Sequence, residues 1–188
     1  MHLLIIDNYD SFTFNIVHYA EPYVQKISVF RNDALSVEDV EKYDAVILSP
    51  GPGTTEDTGV SMEVVRRYAK TKKILGVCMG MQVIAVVFGA ALRNLDEPLH
   101  GVAVPTFQTE VLHSIFKGIP KEFRTGRYHS WVIDERTLPD DLLVTPIDTM
   151  GLIQAIRHRE YPLTGVQFHP ESVLTEYGKL MIQNWIQN

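Results

Sequence analysis

The chain has one cysteine, and its neighbours give that cysteine a reason to react. It sits in Ile74-Leu75-Gly76-Val77-Cys78-Met79-Gly80-Met81-Gln82, with a glycine two residues to either side. An apolar, β-rich run leads up to it and a helix-like stretch follows. This is the G-x-nucleophile-x-G pattern of a sharp strand-to-helix turn, with Cys in place of Ser. Side chains do not fit at the two flanking positions of such a turn, and glycine meets that demand. The turn lifts the sulfur above the carboxyl end of a sheet, at a helix N-terminus whose dipole favours the thiolate. The competing reading is a small, inert, buried apolar side chain.

A nucleophile needs a base, and the base needs an orienting group. Among seven histidines, His169 has the most suggestive setting: Gly165-Val166-Gln167-Phe168-His169-Pro170-Glu171. In extended chain, residues i and i+2 point to the same side, so Glu171 can meet His169 and fix its tautomer. Pro170 presets the backbone between them. Taken alone, this would be a surface histidine beside a solvated glutamate. Ser49-Pro50-Gly51-Pro52-Gly53 closes another apolar run, at the same sheet edge. Its glycines let backbone N–H groups approach a ligand, as the oxyanion of acyl transfer requires. Without the other two pieces it would read as a plain turn.

These groups must be positioned by alternating strands and helices. Residues 3–6, 26–30, 44–49 and 73–77 are short apolar runs suited to strands buried on both faces of a parallel sheet. Helical patterns begin near Asp10-Ser11 and run towards Pro22, cover residues 60–70, and follow Cys78 to about Phe88. A shorter one starts at Ser36, with Asp39 completing a capping box. After Gly89 the texture turns β-rich, at 102–107, 128–133, 142–145, 152–157 and 164–168, and residues 176–187 read as a closing helix. The expected fold class is α/β: an open, mostly parallel, doubly wound sheet with helices on both faces and antiparallel additions in the C-terminal half. Residues 1–188 are expected to form one domain.

Composition closes off other functions. The chain has 188 residues with a net charge of −6, which argues against a nucleic-acid binder. No apolar stretch approaches 18 residues, and Met1 to Asp7 lacks the basic region of a signal peptide, so a cytoplasmic enzyme is expected. No H-x-x-x-H pair or cysteine cluster calls for a metal, and no phosphate-binding glycine loop follows a strand. No cofactor is expected.

Together, these pieces resemble the class I (triad-type) glutamine amidotransferase domain over essentially the whole chain. Asp7-Asn8-Tyr9-Asp10-Ser11-Phe12-Thr13, Ser49-Pro50-Gly51-Pro52-Gly53, Arg127-Tyr128-His129-Ser130 and Gln167-Phe168-His169-Pro170-Glu171-Ser172 resemble one branch of it. That branch is the glutaminase subunit of anthranilate synthase and aminodeoxychorismate synthase. The resemblance implies Cys78 as nucleophile, His169 as base and Glu171 as its orienter, with Gly53 and Met79 N–H groups as the oxyanion hole. It implies that Gly51, Gly53, Gln82, Ser130 and Trp131 hold L-glutamine, the last two mainly through backbone. It also implies a partner, a chorismate-using synthase subunit that receives the ammonia. Two departures stand out. Met81 replaces the branch's usual His, and His100-Gly101 runs into Val102 where Lys is common. Thr55 stands where Pro is frequent. A catalytically quiet subunit, or a partner-independent γ-glutamyl hydrolase, are the alternative readings.

Overall fold

The computed structural model describes residues 1–96 and 100–188. Along the chain come β1 (His2–Asp7), α1 (Thr13–Ala20), β2 (Lys26–Arg31), β3 (Ala45–Leu48), α2 (Ser61–Tyr68), β4 (Lys73–Val77) and α3 (Met79–Val87). Then follow β5 (Leu92–Asn94), β6 (Val102–Gln108), β7 (Glu122–Arg127), β8 (Trp131–Ile133), β9 (Leu142–Val144), β10 (Pro146–Asp148), β11 (Ala155–His158), β12 (Leu163–Val166) and α4 (Gly178–Gln187). The main sheet has seven strands in the order β2-β1-β3-β4-β12-β11-β9. β2, β1, β3, β4 and β12 pair in parallel, and β11 joins β12 and β9 antiparallel.

The period of two along a strand sends alternate residues to opposite faces. In β1, Leu3 and Ile5 pack with Ile16 and Ala20 of α1 and Met181, Ile182 and Trp185 of α4. Leu4 and Ile6 pack with Val64, Val65 and Tyr68 of α2 and Val83 and Ile84 of α3. All four β1 residues are fully buried. Each contributes about 1.5–3 kcal/mol on burial, which is why a continuous apolar run marks a central strand.

The expected architecture is therefore present, with corrections: β2, expected to be buried on both faces, is an edge strand whose residues are half-buried or exposed, and the C-terminal half differs more. Only β9 and β11 extend the main sheet by antiparallel pairing. β10, β6 and β7 form a separate three-stranded antiparallel sheet, and β5 pairs with β8 alone. Residues 128–130, expected as strand, are irregular; the strand ends at Arg127 and resumes at Trp131. The first helix starts at Thr13 because Asp7 and Asp10 hold the turn before it. Asp7 Oδ1 accepts from Asp10 N–H and Thr13 Oγ1, at 3.1 and 2.9 Å, and Asp10 Oδ2 accepts from Phe12 N–H at 2.8 Å. Ser36 and Asp39 make the reciprocal capping bonds, but the turn they cap is a 3-10 helix, Glu38–Lys42. The closing helix begins at Gly178, after Tyr177 in a left-handed conformation.

Candidate active site

β3, β4 and β12 lie side by side, and each delivers one part of the site at its carboxyl end. At the end of β4, Cys78 has φ +52° and ψ −103°, a conformation that costs a non-glycine residue about 1–3 kcal/mol. Its N–H donates to the Val166 carbonyl at 2.7 Å, carrying the β4–β12 ladder one step past the strand. The flanking glycines allow the turn. A Cβ on Gly76 would overlap the backbone of Gly80, and one on Gly80 would overlap the Leu48 carbonyl of β3.

β12 leads through Gln167 and Phe168 to His169. The His169 Nδ1 lies 2.6 Å from Glu171 Oε1, with both side chains buried. Thr175 Oγ1 donates to the His169 carbonyl at 2.6 Å, and the Ser172 N–H donates to it at 3.2 Å, fixing the turn. The Tyr128 ring meets the imidazole edge-on, 5.0 Å between centroids. Because a carboxylate only accepts, Nδ1 carries a proton and Nε2 is the atom left to work. Nε2 is buried without a hydrogen-bond partner among the described residues. Burial opposes the imidazolium, yet hydrogen bonding and charge from Cys78 and Glu171 outweigh it and hold His169 above its ordinary 6.5. Cys78 and His169 line the same cavity, and in resting sites such a pair is commonly not yet aligned.

Cys78 borders two cavities. One, of about 190 Å³, is lined by Gly51, Gly53, Cys78, Met79, Gln82, Ser130 and Trp131 together with Pro52, His100, Tyr128 and His129. It gathers every residue expected for glutamine binding and for the oxyanion hole. The N–H groups of Gly53 and Met79 make no hydrogen bond among the described residues. Met79 opens α3, whose first N–H groups have no helical acceptor. Gly53 has φ +86°, and its loop is pinned by a capping box in which Thr54 N–H donates to Asp57 Oδ2 at 2.8 Å. Thr55 follows as the first residue of that 3-10 turn, so capping does there what Pro does elsewhere. The other cavity, of about 320 Å³, lies by Asp10, Phe12, Tyr128 and His169. Burial raises the Asp10 carboxyl above its usual range.

The amide orientations narrow the roles. Gln82 Nε2 donates to the Trp131 carbonyl at 2.9 Å and to Gln167 Oε1 at 3.3 Å. Both of its protons are used, so Gln82 has only its own oxygen to offer a substrate. The Trp131 carbonyl also receives His129 Nδ1 at 3.1 Å, and the Ser130 carbonyl receives Leu95 N–H at 2.8 Å. Burial, then the charge of Arg127, pushes His129 down to about 3, so it is neutral. Arg127 is itself buried, 3.6 Å from Asp148 across the three-stranded sheet. Asp148 further accepts from Met150 N–H, Leu152 N–H and Gln154 Nε2. This ion pair anchors the segment 128–130 that walls the cavity.

Sequence reasoning did not single out Gln167, Tyr128, His129 or Asp10, although all four lie inside the motifs it quoted. Of the departures, Met81 is fully buried against Gly165 of β12 and faces the core. His100 borders the cavity, while Val102 is exposed at the start of β6. Among the described residues no cluster of ligand side chains could hold a metal ion, and no helix is long and apolar enough to cross a membrane.

A thiol at a strand–helix elbow, a histidine–carboxylate pair and two N–H groups without partners among the described residues are an arrangement chemically suited to acyl transfer through a cysteine. Residues 4–188 match the model of the family "Glutamine amidotransferase class-I", and the chain belongs to that family. It is 42% identical over 191 residues to anthranilate synthase component 2 of Mycobacterium tuberculosis, covering 99% of this chain and 82% of that one. With aminodeoxychorismate synthase component 2 of Klebsiella aerogenes it shares 41% over 186 residues, covering 98% of each. It also matches the bifunctional protein TrpGD of Thermotoga maritima at 42%, spanning 98% of this chain but only 32% of that longer protein. In structure it is similar to a putative GMP synthase chain from Thermoplasma acidophilum, with a TM-score of 0.88, 25% identity, and coverage of 99% and 92%.

Proposed function

We propose that this chain is the glutaminase subunit of a chorismate-using synthase, a single cytoplasmic domain that feeds ammonia to anthranilate or 4-amino-4-deoxychorismate synthesis. The observation that carries the reading is that Cys78 borders both the cavity lined by Gly53 and Met79 and the cavity lined by His169, whose Nδ1 meets Glu171. The Cys78 thiolate attacks the side-chain carbonyl of L-glutamine in the smaller cavity. The carbonyl oxygen becomes an oxyanion that takes the two N–H groups, an interaction worth about 2.7–4 kcal/mol per donor in comparable sites. His169, holding the thiol's proton, gives it to the departing nitrogen, and ammonia leaves. A γ-glutamyl thioester remains. His169 then takes a proton from water, which attacks the thioester, and glutamate and thiol are released. Glu171 keeps the proton of His169 on the correct nitrogen and stabilises the imidazolium.

The larger cavity gives ammonia a second side from which to leave. It is rimmed by the rings of Tyr9 and Phe12, which are 52% and 46% exposed. Apolar exposure at this edge suits the docking of a synthase partner.

The test is ammonia release from glutamine by the purified chain, alone and with candidate chorismate-using synthases. Stimulation by one synthase, with Cys78→Ala abolishing glutamine-dependent but not ammonium-dependent synthesis, is the expected result. Loss of both activities in that variant, or no release with any partner despite stable complexes, would overturn the reading in favour of a quiet subunit. Fast turnover without a partner would favour an independent hydrolase.

A further inference from the structure

Gln167 is fully buried beside the thiol, and the steps above give it no task. Its backbone is fixed, because its N–H donates to the Gln154 carbonyl at 2.8 Å. Gln154 in turn donates from Nε2 to Asp148, so the position is tied to the Arg127–Asp148 pair. The direction of its side chain follows from its neighbours. The Trp131 carbonyl can only accept, which turns the NH₂ of Gln82 towards it. That same NH₂ reaches Gln167 Oε1 at 3.3 Å, so Gln167 must present its own NH₂ on the far side. There it lies 3.7 Å from Cys78 Sγ. One polarised chain runs from the Trp131 carbonyl through two buried amides to the sulfur.

We propose that Gln167 is a further catalytic residue, whose Nε2–H donates to the Cys78 thiolate and holds it ready to attack. A hydrogen bond to an ionised acceptor is roughly twice as strong as a neutral one, so this donor favours the thiolate over the thiol. The chain also gives Gln82 a second duty, that of orienting Gln167. This inference rests on reading Cys78 as the nucleophile.

The experiment uses the full chain and its only cysteine, so alkylation by iodoacetamide reports on Cys78 alone. Rates are measured across pH for wild type, Gln167→Met, which keeps the volume without a donor, and Gln167→Glu, which replaces the donor by a charge. The ionisable groups around the sulfur are His169, Asp10, Tyr9 and Tyr128 on one side and His100 and His129 on the other. They are common to all three proteins, so a difference between profiles isolates Gln167. The expected midpoint moves up by about one pH unit in Gln167→Met, a roughly tenfold fall in alkylation rate on the acid side of the midpoint, and further in Gln167→Glu. Glutaminase kcat falls about tenfold or more, with KM changed less than about threefold. Should a variant not fold, the side-chain amide resonances of Gln167 in wild type serve instead; they must follow the titration of the alkylation rate. Unmoved profiles in folded variants, or amide resonances indifferent to pH, would overturn the proposal. A shifted profile in a chain that releases no ammonia from glutamine with any synthase partner would instead overturn the proposed function and leave the hydrogen bond standing.

Discussion

Gly76 and Gly80 meet backbone to backbone, with no room for a methyl group between them. The strand that leads into Cys78 and the helix that follows it are thereby fixed against each other. Gly76→Ala must push α3 away from β4, or distort the turn at Cys78. Overpacking of this kind costs about 1–3 kcal/mol, and here the obstruction is backbone rather than a flexible side chain. The expected outcome is destabilisation of about 3 kcal/mol in urea unfolding, with glutaminase activity lost beyond the fraction unfolded. A variant of unchanged stability and activity would show that the elbow tolerates a wider turn.

Glu171→Gln preserves shape and removes charge. Nδ1 keeps an acceptor only if the new amide turns its oxygen inwards, and the imidazolium loses its anionic neighbour. We expect glutaminase kcat to fall by about 10²-fold or more, with little change in KM. A fall below threefold would mean that the carboxylate does not orient the base.

Arg127 and Asp148 form a pair in which both side chains are 1% exposed. Arg127→Met leaves Asp148 charged and buried, though still held by two backbone N–H groups and Gln154. The expected cost is about 3 kcal/mol, the low end for breaking a buried pair, measured by denaturant unfolding. KM for glutamine should rise as well, because the segment 128–130 loses its anchor. Unchanged KM in a destabilised protein would separate the anchor from the cavity.

Acid should destabilise this protein early. Burial pushes His129 and His113 each down to about 3, and His113 is further held by Thr145 and Thr164 at 3.3 and 3.1 Å. Both are neutral in the folded chain, whereas the unfolded chain protonates them near 6.5. Their stabilisation is complete above about pH 6.5 and is lost as the pH falls from there towards about 3. The slope approaches about 1.4 kcal/mol per pH unit for each histidine. His169 acts in the opposite sense: its pKa is raised, so its stabilisation is full below about 6.5 and fades as the pH rises through its folded value. Stability measured from pH 7 to pH 4 should fall steeply, and His113→Gln should remove about half of the histidine slope. A flat profile in that range would rule this out.

The parts of the molecule that could be read beforehand were those where one physical rule acts alone. β1, β3 and β4 are continuous apolar runs because both of their faces are covered. The Cys78 elbow needs its two glycines for steric reasons that no context changes. β7 was not legible, because Glu122-Phe123-Arg124-Thr125-Gly126-Arg127 has one large apolar residue and loses its alternation where Gly126 and the charged Arg127 are both buried, a charge satisfied only from β10. Thr125 likewise finds its partner, Thr106 at 2.8 Å, only across β6. Gln167 and Gln82 lie far apart in sequence, and the direction of either amide depends on a carbonyl contributed by β8. Polar networks closed over such distances leave no periodic trace.

The neighbourhood of β4 and β12 has a consequence for biosynthesis. The ribosome delivers the thiol and the open flank of β4 long before it delivers β12, His169 and the helix that covers them. Until then the central strand has an unpaired edge and Cys78 stands without His169, so under the proposed function a nascent chain carries a cysteine without the machinery to use it. Chemical competence arrives last, at the same moment as closure of the sheet, and a truncated product would be both sticky and inert.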